Sequence, residues 1–204
     1  MGRRKLTILV AIGATLVAAA SAFAVDSLSY RFDEEGRRQV FRGRFVIAGD
    51  AGCVLDVVWE PRHLARYESG VDSVRVISAI ADTQIVRYWA HWWFVRSVAD
   101  YRRVLRRAEG RVDFTLTAAS GSGPGVPRVL ESYGSYAIVP RDSACAVEYE
   151  EHATLESSLF AGLVRREARR RVEVFLRVLA QYVGEQCERP VPPEAATAGQ
   201  GSVP

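Results

Sequence analysis

The chain has 204 residues, 49% hydrophobic and 25% charged, which suits a globular domain and excludes a disordered or fibrous protein. The formal net charge is +3, from 27 Lys and Arg against 24 Asp and Glu, and three of the basic residues are Arg3, Arg4 and Lys5. The rest of the chain is therefore charge-balanced, which gives no support for a nucleic-acid partner. Lys5 is the only lysine, so the rest of the chain has none for a Schiff base.

The first 24 residues have the layout of a secretory signal peptide. The basic start is followed by an apolar run without a charge, Leu6 to Ala20, and by the small-residue sequence SAFA ending at Ala24. We expect cleavage after Ala24 and export to the periplasm or out of the cell. The alternative is a membrane anchor, because residues 6–24 are nearly long enough to span a bilayer.

Residues 25–38 are polar and predict a loose lead-in. After them, apolar residues alternate with polar ones in the stretches that predict strands, and recur every three or four residues where helices are predicted. In chain order, the predicted elements are a strand at 39–48, helices at 53–59 and 61–70, strands at 72–79, 83–94, 100–107, 111–117, 129–139 and 144–151, and a long helix from Ser157 or Ser158 that ends before Gly184. The remaining residues, 185–204, are rich in Pro, Gly and Ala and predict a disordered tail.

The long C-terminal helix carries one apolar stripe. Its members are Phe160, Val164, Ala168, Val172, Phe175, Leu179 and Tyr182. An antiparallel sheet needs its apolar face covered, and one long amphipathic helix can lie across a curved sheet. The sequence therefore predicts an α+β fold in which a curved antiparallel sheet of about seven strands wraps around the C-terminal helix, with two short helices after the first strand.

Three cysteines, Cys53, Cys145 and Cys187, permit at most one intramolecular disulfide. Export would place them in an oxidising compartment, where such a bond persists. The sequence does not select the pair. Cys53 and Cys145 both fall in apolar patterns, so buried free thiols are an equally good interpretation.

Four stretches of this chain, taken in order, resemble the START-like, or SRPBCC, superfamily of helix-grip proteins. They are FRGRFVIAGDAGCVLDVVWEP, HLARYESGVDSVRVIS, YGSYAIVPRDSACAVEYEEHA and SSLFAGLVRREARRRVEVFLRVL. The last resembles the final helix of coenzyme Q-binding and polyketide-cyclase-like members. The resemblance implies that residues 39–184 form one helix-grip domain, which holds an apolar or aromatic molecule between sheet and helix, as lipid transfer proteins of this superfamily do.

The stretch YWAHWWF, residues 88–94, places five aromatic rings and a histidine in seven positions. As a strand, it would point Tyr88 and Trp92 inward and Trp89, His91 and Trp93 outward. A bulge near the end of the strand would reverse that assignment. The inward rings would fill the core or line a ligand site, whereas exposed tryptophans would form a patch for a partner or a membrane.

The candidate ligand-binding residues are inward positions of several strands and of the long helix. They are Tyr88, Trp92, Phe114, Leu116, Tyr133, Phe160 and Val164. Tyr133 and Tyr136 have opposite strand parities, so both can point inward only if a bulge intervenes. The histidines His63, His91 and His152 lack metal-ligand spacing, and we expect no metal, cofactor or catalytic set.

These observations favour an exported binding or carrier protein for a hydrophobic small molecule (a lipid, quinone or polyketide-like compound), with transient membrane contact. One alternative is a cyclase- or aromatase-type enzyme, which would need His91, Arg87 and a tyrosine inside the cavity and hence the opposite strand parity. Another is a protein-interaction module whose pocket is filled by its own side chains, with Trp89 and Trp93 exposed.

Overall fold

A computed structural model describes residues 28–68, 70–92, 95–122, 128–156 and 161–187 of the chain. The predicted signal peptide, the predicted helix cap at Ser157 or Ser158 and the tail after Cys187 lie outside these residues. Among the helices that the model describes, none combines the length and the apolarity needed to cross a bilayer.

The described residues form eight strands and three α-helices, with a 3-10 turn at Arg107–Glu109. Their bounds are β1 Ser29–Glu35, β2 Arg38–Ala48, α1 Ala51–Trp59, α2 Pro61–Tyr67, β3 Val71–Ile80, β4 Thr83–Trp92, β5 Val95–Arg106, β6 Arg111–Ser122, β7 Val129–Pro140, β8 Ala144–Leu155 and α3 Ala161–Cys187. Every predicted element is present, so the periodicity identified both helices and strands correctly.

All eight strands belong to one antiparallel sheet in the order β1-β2-β8-β7-β6-β5-β4-β3. The α+β helix-grip architecture is therefore confirmed, with one strand more than expected. The lead-in was predicted to be loose, but it contributes β1, so the two short helices follow the second strand. Phe32 of β1 packs edge-on against Phe41 of β2, with ring centroids 5.2 Å apart. A polar strand at a sheet edge gives little apolar signal in the sequence.

The two short helices begin and end where local chemistry requires. The Asp50 side chain caps α1 by accepting a hydrogen bond from the backbone N–H of Cys53, at 3.1 Å. Glu60 ends α1, and Pro61 opens α2, where its missing N–H has no cost. The buried face of α1, with Val54 and Val58 fully covered, packs into the main core.

α3 packs most closely where the sheet carries a glycine. A side chain at Gly43 of β2 would overlap Leu176, so the helix can approach the sheet only because Gly43 has none. Leu176 and Leu179 are fully buried there, beside Phe45 in the same core. Apolar burial of this kind is the main force holding the helix on the sheet.

A disulfide joins Cys53 of α1 to Cys187, the last residue of α3, with Cα atoms 5.7 Å apart. It selects one pairing from those that the sequence allowed and leaves Cys145 buried and free, with its thiol pKa raised by burial to about 11. The helix was predicted to end before Gly184 but continues to Cys187. Glycine costs a helix only about 1 kcal/mol, and the buried Val183 and the disulfide hold this last turn.

Candidate functional site

A cavity of about 200 Å³ lies between the inner face of the sheet and α3. Strands β4 to β8 form its floor, the residue after α2 forms one side and α3 covers it. Its lining residues are Glu68, Tyr88, Tyr101, Arg103, Phe114, Tyr136, Tyr149, Glu151, Arg171, Val172 and Phe175. Six of them are aromatic and four are charged, so the cavity is an aromatic chamber with charged groups set into its wall.

The aromatic rings of the wall contact one another in sequence across the sheet. Tyr101 meets Tyr88 and Phe114 edge-on, with centroids 5.4 and 6.1 Å apart. Phe114 stacks against Tyr149 at 6.0 Å, and Tyr149 reaches Phe175 of α3 at 5.1 Å. Edge-on and offset contacts of this kind are favourable between aromatic quadrupoles. The rings thus hold one another in place and present a continuous surface to the cavity.

Arg103 of β5 is only 1% exposed, yet its charge is well satisfied. Its guanidinium donates hydrogen bonds to the backbone carbonyls of Val58 and Trp59, at 2.5 and 3.0 Å, and lies 5.7 Å from the Trp59 ring. These carbonyls belong to the last turn of α1, where the helix dipole is negative and stabilises a cation. Arg103 therefore joins the sheet to α1 and places a positive charge at the cavity wall.

Glu68 follows α2 and lines one side of the cavity. Removal from bulk water raises the pKa of its carboxyl to about 7, with nearby Arg103 opposing the rise and Glu151 adding to it. Within the described part of the chain, no side chain forms a hydrogen bond or salt bridge with this carboxyl. Glu68 is therefore a half-buried acid that titrates near neutral pH.

Glu151, in contrast, has hydrogen-bond partners at both oxygens. Ser132 donates to one oxygen at 2.8 Å, and the Tyr149 hydroxyl donates to the other at 2.5 Å. Tyr101 extends this chain by donating to the Ser132 hydroxyl at 3.3 Å. Burial raises the pKa of both phenols, so they remain hydrogen-bond donors at neutral pH. This network fixes the carboxylate at one end of the cavity.

The hydroxyls of Tyr88 and Tyr136 differ from those of the network. The two side chains are 9% and 3% exposed, and neither hydroxyl has a hydrogen-bond partner among the described residues. Burial raises the pKa of both phenols, and the charge of Glu68 raises it further. The cavity thus contains two buried phenolic donors and one carboxyl that the described part of the protein does not pair.

No family model matches this chain, and no curated protein matches it in sequence. Solved structures match it well. An aromatase/cyclase from Streptomyces sp. R1128 aligns with a TM-score of 0.60 at 12% identity, over 72% of this chain and 93% of its own. A START superfamily protein from Mycobacterium smegmatis aligns at 0.59 and 11% identity, over 72% and 97%. A STAR-related lipid transfer protein from Xanthomonas axonopodis aligns at 0.55 and 15%, over 76% and 98%.

The chain has the START-like, or SRPBCC, helix-grip fold. Sequence identities this low establish the fold alone, and the fold does not fix the activity. Its neighbours include one protein described as a STAR-related lipid transfer protein and one described as an aromatase/cyclase. The cavity described above lies in this helix-grip chain between the sheet and the C-terminal helix, where the resemblance implied a ligand site.

The helix-grip structure brings two of the predicted site residues to the cavity. Tyr88 and Phe114 line it directly. Leu116 is half-buried beyond it, opposite Tyr101 on the neighbouring strand, and is not among the lining residues. Three more candidates have side chains outside the described residues, and they are Trp92, Phe160 and Val164.

Tyr133 lies on the outer face of the sheet and does not line this cavity. Its ring stacks on His152 with centroids 4.8 Å apart, and its hydroxyl accepts a hydrogen bond from Arg38 at 2.6 Å. The register shift in the β7–β8 pair falls before both Tyr133 and Tyr136, at Val129–Glu131. Strict alternation then applies between the two tyrosines, and Tyr136 is the inward one.

The strand β4 follows the predicted parity where its side chains are described. Tyr88 is buried, whereas His91 is exposed and bonded to Asp72 on the edge strand. Arg87 forms a two-point ion pair with Asp100 of β5, at 2.7 Å. His91 and Arg87 therefore lie outside the cavity, and the catalytic set that the enzyme alternative required is not assembled there. Trp89 is half-buried on that outer side, and Trp93 lies outside the described residues.

The polar residues of the cavity were not identified from the sequence. Arg103 shares its parity with Tyr101 and Leu105, so the alternation of β5 placed an arginine on the inner face. That signal was available, but a charged residue among inward positions is ordinarily assigned to solvent. Glu68 had no such signal, because it follows a short helix in a polar stretch. Only the folded chain brings it to face the strands.

Proposed function

We propose that this chain is an exported binding or carrier protein for a small hydrophobic molecule held between the sheet and α3. The observation that carries the proposal is the cavity wall of six aromatic rings. Ligand sites are typically concave, with apolar and aromatic walls and a few placed polar groups. This cavity combines six aromatic rings with four charged residues. The likeness to a lipid transfer protein and to an aromatase/cyclase supports the same class of ligand.

The size of the cavity narrows the choice of ligand. An apolar cavity of about 150 Å³ accommodates benzene, whereas sites for drug-sized molecules span about 300–1,000 Å³. A cavity of about 200 Å³ therefore favours a compact ring molecule, or the ring of a quinone or polyketide-like compound. A lipid would place only part of its chain there. Loading from a bilayer would require transient membrane contact.

Two features support export. The basic, apolar and small-residue segments of residues 1–24 have the order of a signal peptide. The Cys53–Cys187 disulfide is a bond that persists in oxidising compartments. The intact mass of the chain recovered from the periplasm or medium tests this part, because it should correspond to a polypeptide beginning at Val25. A mass that retains residues 6–24 would instead indicate a membrane anchor.

Native mass spectrometry, followed by solvent extraction, tests the binding function on the chain purified from an exporting host. We expect a co-purifying apolar molecule or uptake of added ring compounds such as naphthalene. Val172→Phe should abolish this binding by filling the cavity, whereas Val174→Phe, on the exposed side of the same helix, should not. Circular dichroism checks that both variants fold. An empty protein that takes up no lipid, quinone or ring compound would contradict the proposal.

A cyclase- or aromatase-type enzyme is the second candidate, favoured by one observation. Glu68, whose pKa is about 7, faces Arg103 and two phenols in the same cavity, and an acid that titrates near neutral pH suits proton transfer. Turnover of a linear poly-β-keto thioester into ring products, lost in Glu68→Gln, would favour this candidate. Binding of ring compounds without turnover would favour the carrier.

A further inference from the structure

Among the polar groups that line the cavity, two sets differ in their hydrogen bonding. Arg103 donates to the carbonyls of α1, and Glu151 accepts from Ser132 and Tyr149, so both charges are satisfied within the protein. The second set consists of the Glu68 carboxyl and the hydroxyls of Tyr88 and Tyr136, which have no hydrogen-bond partner among the described residues. Buried polar groups are ordinarily paired, so each unpaired group requires an explanation.

We propose that Glu68, Tyr88 and Tyr136 form a polar anchor that binds the hydroxyl group of a compact aromatic ligand. This proposal rests on the binding function above and specifies the chemistry of the ligand. The Glu68 carboxyl accepts a hydrogen bond from the ligand hydroxyl, and a tyrosine O–H donates one to the hydroxyl oxygen. The ring of the ligand then contacts the aromatic wall, close to Phe114 and Phe175.

The chemistry of the three groups is complementary to a hydroxyl. A hydroxyl has one proton to donate and lone pairs that accept, and the anchor offers one acceptor and two donors. Glu68, Tyr88 and Tyr136 all line the same cavity, so one ligand can contact all three groups. A purely apolar ligand would leave them all unpaired, and unpaired buried groups weaken binding. The anchor therefore selects a hydroxylated ring over the bare ring.

The charged and titratable groups that face Glu68 come from every side of the cavity. They are Tyr67 on α2, Tyr88 on β4, Tyr101 and Arg103 on β5, Tyr136 on β7, Tyr149 and Glu151 on β8, and Arg171 on α3. Burial raises the pKa of the five tyrosines, so none of them titrates between pH 6 and 8. A change in ligand selection over that range would therefore come from Glu68, whose pKa is about 7.

Naphthalene and 2-naphthol are matched probes, because they share a ring system and differ in one hydroxyl. Titration of the purified full chain with each, followed by calorimetry and by tyrosine and tryptophan fluorescence, gives two dissociation constants. We expect 2-naphthol to bind about five- to tenfold more tightly, which is the ratio for one net hydrogen bond. The ratio should rise from pH 6 to pH 8, because an ionised carboxylate is the stronger acceptor and also disfavours burial beside naphthalene.

Three variants and one control test which residues cause the preference for 2-naphthol over naphthalene. Tyr136→Phe and Tyr88→Phe should each lower the preference for 2-naphthol severalfold, because each removes one donor of the anchor and keeps the ring. The binding of 2-naphthol should weaken, and that of naphthalene should stay the same or tighten. Glu68→Gln should lower the preference at pH 8 and abolish its dependence on pH. Tyr133→Phe is the matched control, because it removes a phenol from the opposite face of the same strand. It should leave both dissociation constants unchanged.

The outcomes separate this proposal from the function on which it rests. Binding of both probes with equal affinity would overturn the anchor and leave the binding function intact. Failure of both probes to bind, together with an empty protein in native mass spectrometry, would overturn the binding function itself. A preference for 2-naphthol that survives in all three variants would also overturn the anchor, since the hydroxyl would then be recognised elsewhere.

Discussion

Two stretches of α3 face the same sheet but form different environments. Toward the C-terminal end, Leu176, Leu179 and Val183 are fully buried in the core. In the stretch before it, Val172 and Phe175 are only half-buried and face tyrosines and charged residues across the cavity. A single amphipathic helix thus closes one end of the fold and covers a chamber at the other.

The difference shows how side-chain shape and polarity determine whether a core is filled. Side chains in a filled core interdigitate to the density of an organic crystal, as the fully buried residues at the C-terminal end of α3 do. Tyrosine rings are rigid, and their hydroxyls require partners, so a wall that includes Tyr101, Tyr136 and Tyr149 does not close on itself in the same way. The closed end holds the helix to the sheet, and the open end leaves room for another molecule.

Shortening one side chain in each of these two stretches of α3 should give the largest difference in stability. Leu179→Ala leaves a void in a fully packed core and should lower the free energy of unfolding by about 2–5 kcal/mol. Val172→Ala, at the edge of an existing cavity, should cost about 1 kcal/mol because fewer contacts are lost. Urea denaturation measures both. Equal losses would mean that the two ends are packed alike.

The disulfide should stabilise the closed end without shaping the chamber. Replacing Cys53 and Cys187 together by alanine should lower the free energy of unfolding by about 2–4 kcal/mol, because the unfolded chain loses a long covalent loop. Naphthalene uptake should persist, since neither cysteine lines the cavity. Cys145→Ala, at the free buried thiol, is the matched control. Uptake that disappears with the disulfide would show that the two ends depend on each other.

The smallest expected effect is a dependence of stability on pH at the open end. The pKa of Glu68 rises from its ordinary 4.5 in the unfolded chain to about 7 in the folded one, so the folded state retains this proton over that interval. The contribution of Glu68 to stability is therefore greatest below pH 4.5, falls as pH rises to about 7 and stays low above.

Glu68→Gln should remove the loss of stability that accompanies ionisation of Glu68 as the pH rises. Thermal unfolding should show a Tm a few degrees above wild type at pH 8 and little difference at pH 5, with solvent in the cavity limiting the size of the gain. Glu148→Gln, on the outer face of the sheet, serves as the control and should give the same small difference at both pH values. A gain of equal size at pH 5 and pH 8 would show that ionisation of Glu68 is not its cause.

Much of the architecture could be predicted from alternation and helical spacing. The period-two pattern of β4 correctly placed Tyr88 inside and His91 outside. The same rule gave the wrong residue in β7, where Tyr133 was chosen as inward and Tyr136 lines the cavity. A bulge before the two tyrosines reverses the parity of the strand, and only the register with β8 showed that it lies at Val129–Glu131. β1 was missed because an edge strand buries too little apolar surface to show a clear pattern.

By itself, the sequence determined the order of the predicted elements and the apolar face of most of them, because those properties depend on residues near one another in the chain. The tertiary structure decided the disulfide partner of Cys53 and the convergence of Glu68, Arg103 and Tyr136 on one cavity. These residues come from elements far apart in sequence, so no local period relates them. Their proximity, and the raised pKa of Glu68, exist only after the sheet has curved around α3.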